Sequence, residues 1–378
     1  MANLYLHNLS LLLWCFFYFF LRGKANKKID NPRKILIVQL AKMGDMVCTT
    51  PMFRAVKAKY PDSQLYVLGD RVNKELLEGN RDVDFYVTWD KSFFGTLRFL
   101  RKKGIEVGIL TGPGPQMLAL LYLSGIPLVI APEMRRGFSP LNTRSYRFLT
   151  RFVETRAHQL GKYAPREYLR LLEPLGILSS DTKKHLAFSQ EASQKVLRFL
   201  EENGIRPKGD FIVGISPGTG NKIKLWGRDK FAKVADWLYE RVGAKIIITG
   251  SREDKKEIGE MMGLLNPKTK VINTLDMFSI DELKALISKL SLFISVDTGQ
   301  IYIAEAFGVP TIDIVGPVDE KDQPPVGKIH KVVVAPRERP QMGVFNARVY
   351  EEVEARRQSE DITPEMVIEK INELFPTL

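Results

Sequence analysis

The motif Lys42-Met43-Gly44-Asp45 follows the apolar run of residues 34–40 and places a carboxylate directly after a glycine turn. Ligands of parallel α/β folds bind at the carboxyl ends of the strands, which is where this motif is expected to lie. Asp45 is therefore a candidate general base that takes a proton from an acceptor hydroxyl. The position also suits a residue that caps the following helix, and the spacing alone leaves both roles open.

A second motif, residues 216–226, combines glycines and hydroxyls with two lysines, Lys222 and Lys224, after another apolar run. Glycine-rich turns expose backbone N–H groups, and lysines add positive charge, a combination that suits a diphosphate. The motif has neither the Gly-Lys-Ser/Thr sequence of a P-loop nor a dinucleotide fingerprint. A structural turn with solvated lysines is the alternative interpretation.

A third motif, Ser295-Val296-Asp297-Thr298-Gly299-Gln300, stands where a predicted strand, residues 292–296, meets a predicted helix, residues 300–307. Asp297 and Thr298 can cap that helix. The free amides and the dipole at the start of a helix can also bind the anionic leaving group of a transfer reaction. These two roles are compatible with each other.

Residues 133–170 contain nine Lys and Arg but only three Glu. A solvated helical face is the usual origin of such a run. It is also suited to phosphate or carboxylate groups of an acidic saccharide, or to lipid headgroups. The candidate acceptor contacts here are Arg135, Arg136 and Arg144. No nucleic-acid-binding module is present, so the sequence disfavours that partner.

Short apolar runs alternate with helical patterns twice along the chain, which predicts an α/β protein with two doubly wound, Rossmann-like domains and a ligand cleft at the carboxyl ends of both sheets. The arginine-rich residues 135–170 are predicted to be helical. We place a membrane-associating segment and linker at 1–32, an N-terminal Rossmann-like domain at 33–190, a C-terminal Rossmann-like domain at 191–340 and a helical extension at 341–378.

The apolar residues 4–21 are followed at once by Arg22, Lys24, Lys27 and Lys28, and the chain has a net charge of +12. This pattern predicts a membrane-associating helix that either just spans the bilayer or lies in its interface. The rest of the chain is expected at the cytoplasmic face of the inner membrane. Two cysteines do not make a disulfide framework, and four scattered histidines do not indicate a metal site.

Taken in order, these motifs resemble those of glycosyltransferase family 9, the lipopolysaccharide heptosyltransferase family. The resemblance covers residues 33 to about 335. The matching elements are Met43-Gly44-Asp45, Thr50-Pro51, Arg54-Ala55, Tyr60-Pro61, Lys224-Leu225-Trp226, Thr249-Gly250, Asp297-Thr298-Gly299, Gly316-Pro317 and Pro324-Pro325.

The resemblance implies a GT-B fold, in which the domain at 33–190 binds the acceptor and the domain at 191–340 binds the nucleotide-sugar. It implies an inverting transfer that needs no metal or other cofactor. The expected donor is ADP-heptose, and the expected acceptor is a lipopolysaccharide core or a related envelope glycan. It implies that Asp45 is the base, with Gly44 beside the acceptor, and that Lys224 contacts the donor diphosphate. The implied donor-binding positions also include Thr219, Gly220, Lys222, Asp297, Thr298 and Gly299. Either Glu253 or Asp254 matches the acid that contacts the ribose, and Glu253 is our prediction.

The chain departs from the family pattern at several positions, among them Lys42, where the family often has a small polar residue or arginine. Tyr302 stands where a histidine usually follows the aspartate of the donor turn, and we include Tyr302 among the donor-binding residues. Trp226 is followed by Gly227 instead of proline. The alternative functions are a non-catalytic, membrane-anchored protein that binds nucleotide-sugar or glycan, and a nucleotide-sugar epimerase.

Overall fold

The computed structural model describes residues 2–135, 138–345 and 349–377. It divides into two compact units. The N-terminal unit comprises Met1–Lys74, Arg81–Lys183 and Val344–Ala347, and the C-terminal unit comprises Glu75–Asn80, Lys184–Gly343 and Arg348–Leu378.

The N-terminal unit is built on a parallel six-stranded sheet in the order β3-β2-β1-β4-β5-β6. The strand order reverses between β1 and β4, and the crevice outside such a reversal is the usual ligand site of an open α/β sheet. The strands are β1 Lys34–Val38, β2 Gln64–Gly69, β3 Phe85–Thr88, β4 Val107–Leu110, β5 Leu128–Arg135 and β6 Glu154–Gln159. The helices are α1 Ala2–Arg22, α2 Met43–Lys59, α3 Arg71–Leu76, which continues into the C-terminal unit, α4 Phe93–Lys103, α5 Pro115–Leu123, α6 Arg144–Leu149 and α7 Ala164–Arg170.

The C-terminal unit repeats this plan, with a parallel sheet in the order β12-β11-β10-β7-β8-β9 and a reversal between β7 and β10. Its strands are β7 Ile212–Ser216, β8 Lys245–Ile248, β9 Val271–Asn273, β10 Leu292–Val296, β11 Thr311–Ile314 and β12 His330–Val333. Its helices are α8 Gln190–Glu202, α9 Arg228–Trp237, α10 Lys255–Gly263, α11 Ile280–Ile287, α12 Gly299–Ala306, α13 Glu352–Glu360 and α14 Pro364–Leu374.

The central strands form because their sequences are apolar and rich in β-branched residues, so both faces can be covered by helices. All residues of β7 and β10 are buried, and so are four of the five residues of β1. The prediction of an α/β chain with two doubly wound parallel sheets is confirmed.

The prediction that residues 135–170 are helical is wrong for strand β6. This strand extends the first sheet in parallel with β5, from the pair Ile130 and Glu154 to the pair Arg135 and Gln159. Its sequence, Glu-Thr-Arg-Ala-His-Gln, is polar because it lies at the sheet edge, and only His158 is buried. A strand of this composition lacks the apolar pattern from which strands are predicted.

Helix α1 packs against α5 in the N-terminal unit. Residues Met117–Leu123 of α5 are all buried, which requires apolar partners on both the sheet side and the outer side of the helix. The partners on the outer side include Leu11 and Cys15 of α1, which are themselves buried. No helix in the described part of the chain combines the length and apolarity needed to cross a bilayer.

Candidate active site

Asp45 lies in the first turn of α2, beyond the carboxyl end of β1 and therefore beside the reversal point of the first sheet. The helix begins at Met43 with Lys42 in the N-cap position, so Asp45 is not the N-cap residue. Its carboxylate is half-buried, and the amino end of a helix stabilises a negative charge in the first turn. This geometry allows the carboxylate to accept a proton.

The turn that carries Asp45 is fixed by buried hydrogen bonds. Thr49 Oγ1 donates to the main-chain oxygen of Asp45 over 2.7 Å, and Gln39 Nε2 donates to Thr49 Oγ1 over 3.0 Å. The Gln39 side-chain oxygen in turn accepts from the amide of Ala41 over 3.0 Å. Gln39 was not identified from the sequence, although a glutamine at the end of an apolar strand is a recognisable signal. The arrangement holds the start of α2 in one position.

Two of the predicted acceptor residues, Gly44 and Arg135, lie at this edge of the sheet. Gly44 is buried in the first turn of α2. Arg135 ends β5 at the same carboxyl edge and pairs with Glu133 over 2.9 Å, with both side chains well exposed. Arg144 is exposed and begins α6. Arg136 lies outside the described residues.

In the C-terminal unit, Lys224 and Asp297 form an ion pair at the reversal point of the second sheet. Lys224 Nζ donates to Asp297 Oδ2 over 2.6 Å and to the Asp297 main-chain oxygen over 3.1 Å. Lys224 belongs to a 3-10 turn, Lys222–Lys224, in the segment after β7, and Asp297 directly follows β10. The Lys224 and Asp297 side chains are 20% and 11% exposed, so water screens the pair only weakly.

Tyr302 completes this cluster from one turn along α12, since its hydroxyl donates to Asp297 Oδ1. Burial by itself raises the pKa of the Asp297 carboxyl, but the charge of Lys224 and the hydrogen bonds from Lys224 and Tyr302 leave this pKa below its ordinary value. Asp297 therefore carries its charge and fixes the direction of the Lys224 ammonium. In this chain, the tyrosine at the usual histidine position is a hydrogen-bond donor to Asp297.

Asp313 is a second buried carboxyl beside the pair, in the strand next to β10 and level with Ser295. Burial, followed by the charge of Asp297, raises the pKa of Asp313 well above its ordinary value. Among the described residues, its Oδ1 has no hydrogen-bond partner. Sequence reasoning missed Asp313, whose only signal is a single acid within the apolar strand Thr-Ile-Asp-Ile.

Thr298 occupies the N-cap position of α12, but its side chain makes no capping hydrogen bond and its Oγ1 lies 3.2 Å from Ser295 Oγ. Gly299 and Gln300, the first two helical residues, are half-buried. Since Asp297 is engaged by Lys224 and Tyr302, neither side chain predicted to cap this helix does so in the structure. An uncapped helix start beside a lysine can bind an anion.

The other predicted donor residues lie in the segment after β7 and in the turn after β8. Thr219 is buried and Gly220 has open space around it. Lys222 forms an ion pair with Glu257 over 2.8 Å. The Ser251 hydroxyl donates to Asp254 Oδ2 over 2.9 Å. Glu253, the other candidate acid, is exposed. Glu253 is therefore the more exposed of the two candidate acids. Sequence reasoning did not identify Glu257 as the partner of Lys222.

Potential metal ligands are dispersed in the described residues, where no group of three His, Cys, Asp and Glu side chains is placed to hold a metal ion. The polar groups of the site are instead the Lys224–Asp297 pair, the hydroxyls of Thr219 and Thr298, and the helix amides. This composition can hold an anionic diphosphate.

Two doubly wound parallel units, each with polar residues at its strand-order reversal, define a two-domain, Rossmann-like α/β protein. The family model of glycosyltransferase family 9 (heptosyltransferase) matches residues 117–348, more than half of the chain. The chain belongs to this family, as the sequence motifs predicted, and it is a glycosyltransferase.

Lipopolysaccharide heptosyltransferase 3 of Escherichia coli K12 is 28% identical to this chain in an alignment of 290 positions, and the match covers 73% of this chain and 80% of that protein. Among solved structures, a family 9 glycosyltransferase from Veillonella parvula superposes with a TM-score of 0.76 at 20% identity, covering 92% of this chain and 98% of that one. The E. coli ADP-heptose lipopolysaccharide heptosyltransferase II superposes with a TM-score of 0.71 at 18% identity, covering 90% and 98%. The folds therefore agree over nearly their whole lengths.

Proposed function

We propose that this chain is an inverting heptosyltransferase that moves a heptose from ADP-heptose to a lipopolysaccharide core or a related envelope glycan. The observation that carries the proposal is the Lys224–Asp297 pair beside the uncapped start of α12. A departing diphosphate gains negative charge, and a fixed ammonium with free amides stabilises that charge. The name of the E. coli heptosyltransferase II, a relative of the same fold, supports ADP-heptose as the donor.

In the proposed reaction, Asp45 removes the proton of an acceptor sugar hydroxyl as its oxygen attacks the anomeric carbon. The new bond forms on the face opposite the nucleotide, the bond from the anomeric carbon to the diphosphate oxygen breaks, and the configuration inverts. The electron pair of the broken bond leaves with the diphosphate, near Lys224 and the amides of Thr298 and Gly299. The proton ends on the Asp45 carboxylate and is released to water.

The remaining predicted residues have supporting roles in this proposal. Thr219 and Gly220 line the diphosphate, Lys222 adds charge, and Glu253 accepts hydrogen bonds from the ribose. Tyr302 acts through Asp297. Gly44, Arg135, Arg136 and Arg144 serve the anionic acceptor. The charge of the leaving group is met by Lys224 and the amides, so the reaction is proposed to need no metal ion.

We place the reaction at the cytoplasmic face of the inner membrane, because the proposed acceptor is a glycolipid and the residues that follow 4–21 are basic. The alternative functions differ in their products. An epimerase returns a rearranged nucleotide-sugar, and a binding protein returns none.

The test measures nucleoside diphosphate release from several nucleotide-sugars, with and without lipopolysaccharide core acceptors, by the full chain and by Asp45→Asn. We expect acceptor-dependent release from ADP-heptose. The Asp45→Asn variant should lose a factor of about 10²–10⁴ in kcat, which is the usual contribution of a general base, at a similar donor KM. Asp62→Asn, an exposed aspartate of the same unit, is the matched control.

A second matched pair tests the donor site. Lys224→Gln should lower kcat much more than Lys222→Gln, because Lys222 is 52% exposed and pairs with Glu257, whereas Lys224 is held by Asp297.

Near-normal turnover of Asp45→Asn would remove Asp45 from the base role. Equal losses in the two lysine variants would remove the special role of Lys224.

A further inference from the structure

Helix α1 has apolar side chains on two opposite faces, and the N-terminal unit covers only one of them. Leu11 and Cys15 are buried on the covered face. At the end of the helix, the Arg22 guanidinium donates to the main-chain oxygens of Tyr122 and Ile126 in and after α5. The helix is therefore fixed to α5 along its described side chains.

The opposite face is apolar and open to solvent. Its exposed side chains recur at helical spacing and are Leu9, Leu13, Phe16, Phe17, Phe20 and Leu21, with Trp14 at its border. Phe17, Phe20 and Leu21 are 64%, 71% and 85% exposed. An outer helix face on a water-exposed surface is normally polar. This face thus indicates an apolar partner.

Two neighbouring segments extend the same surface. Trp14 lies 5.9 Å from Phe94 of α4, measured between ring centroids, and Phe94 is 56% exposed. On the other side, Phe19 stacks on Phe152, just beyond α6, at 5.0 Å. The apolar face of α1 is therefore bordered by α4 and by the segment around α6.

All three segments lack acidic residues. Residues 2–29, 91–105 and 134–153 contain no Asp or Glu and fourteen Lys and Arg, although segments of this length would hold about seven acids at the chain's average of 44 in 378. Arg98 follows Phe94 by one helical turn on α4, and Arg147 and Arg151 lie on or beside α6, all of them exposed. The charged side chains within these three segments are therefore all positive.

We propose that α1, with the exposed edges of α4 and α6, forms a docking face for an anionic lipid bilayer, on which α1 lies in the plane of the interface while it remains packed on α5. The aromatic face enters the boundary between headgroups and acyl chains, and the arginines bind lipid phosphates. This inference adds the contact surface and the lipid class to the membrane location given under Proposed function, and it rests on that location.

The charge pattern favours lipid over a second copy of the chain. A symmetric dimer through this face would bring the positive border of one copy against that of the other, and like charges across an interface are unfavourable. An anionic bilayer provides the complementary charge over a wide area. It also provides the apolar layer that the aromatic side chains need.

The experiment measures binding of the full chain to vesicles without donor or acceptor, so its result is independent of the transfer reaction. We expect strong binding to phosphatidylcholine vesicles that contain about one quarter phosphatidylglycerol, weak binding to phosphatidylcholine alone, and a decrease with added salt. The triple variant Arg98→Gln, Arg147→Gln, Arg151→Gln should lose about 100-fold in affinity, since each cation near an anionic surface contributes about a factor of five. Exchange of the exposed Lys59, Lys74 and Lys208 for glutamine is the charge-matched control.

The apolar face is tested by the double variant Phe17→Ala, Phe20→Ala, which should lose at least about tenfold in affinity. Leu178→Ala with Val353→Ala is the control, because these side chains are 87% and 76% exposed elsewhere on the chain. Brominated lipids should quench Trp14 more strongly when bromine is near the headgroups than when it is deep. The proposal is overturned if the test and control variants lose the same affinity, or if bromine deep in the bilayer quenches Trp14 more strongly than bromine near the headgroups. It is also overturned if the aromatic variants change only the oligomeric state measured by ultracentrifugation.

Discussion

Two buried carboxyls beside the proposed donor site, Asp297 and Asp313, are expected to respond in opposite ways to replacement by asparagine. Lys224 and Tyr302 keep the pKa of Asp297 below its ordinary value, whereas burial and the charge of Asp297 keep the pKa of Asp313 well above it. Asp297 is therefore expected to be charged at neutral pH, and Asp313 to keep its proton to a higher pH than an exposed aspartate does. Asparagine removes a charge in the first case and replaces one neutral group by another in the second.

The cost of Asp297→Asn follows from its contacts. The variant loses the charge that accepts from Lys224 Nζ over 2.6 Å and leaves the ammonium of a mostly covered lysine without its counter-charge. Removal of one partner from a buried ion pair costs roughly 3–5 kcal/mol, and the 20% exposure of the Lys224 side chain places this case at about 3 kcal/mol. In a unit of this size, that loss lowers Tm by about 6–12 °C.

Asp313→Asn should leave the stability at pH 7 unchanged or raised. The unfolded wild-type chain releases the Asp313 proton above its ordinary pKa of about 3.9, while the folded chain keeps it. The contribution of Asp313 to stability is thus fully present at low pH and is lost as pH rises towards its raised folded pKa. Asparagine does not titrate, so the Tm of Asp313→Asn relative to wild type should increase from pH 5 to pH 8.

The assay is thermal unfolding of the wild type and of both variants at pH 5, 6, 7 and 8, with donor binding measured at pH 7. The deficit of Asp297→Asn should be constant over this range, because the lowered pKa of Asp297 removes its contribution only below about pH 4. Donor binding should weaken in Asp297→Asn and persist in Asp313→Asn. Equal, pH-independent losses of stability in both variants would refute the assigned protonation states.

Three further predictions concern residues 216–226 after β7, the leaving group and helix α1. Gly218→Ala should destabilise the C-terminal unit by about 1–3 kcal/mol, because a Cβ there would lie 2.2 Å from Asp254 Cγ. Gly220→Ala should leave the stability unchanged, because a Cβ there has no neighbour within 4 Å. A denaturant titration measures both variants. Addition of EDTA should change the transfer rate less than twofold, and a large loss that Mg²⁺ restores would show that Lys224 and the amides do not suffice. Burial raises the pKa of the Cys15 thiol to about 12, so thiol reagents at pH 8 should not label Cys15 before the chain unfolds. Mass spectrometry measures the labelling. Rapid labelling of Cys15 would show that α1 leaves α5.

The alternation of buried apolar strands and helices was readable from the sequence because strands covered on both faces need continuous apolar runs. Strand Leu292–Val296 was predicted at its observed bounds. Strand β6 was missed because an edge strand is covered less and needs fewer apolar residues. Strand β12, whose His330 and Lys331 are also only partly covered, was missed in the same way.

The sequence by itself determined the family, the transferase class and the motifs that supply Asp45, Lys224 and Asp297, since these depend on residue types at short spacing. Only the tertiary structure showed that Lys224 and Asp297, 73 positions apart, form one ion pair, and that Tyr302 donates to it. The raised pKa of Asp313 also depends on the tertiary structure, because it comes from burial and from the nearby charge of Asp297. Charge states and pairings depend on burial and distance in space, and these are set by the packing of strands that are remote in the chain.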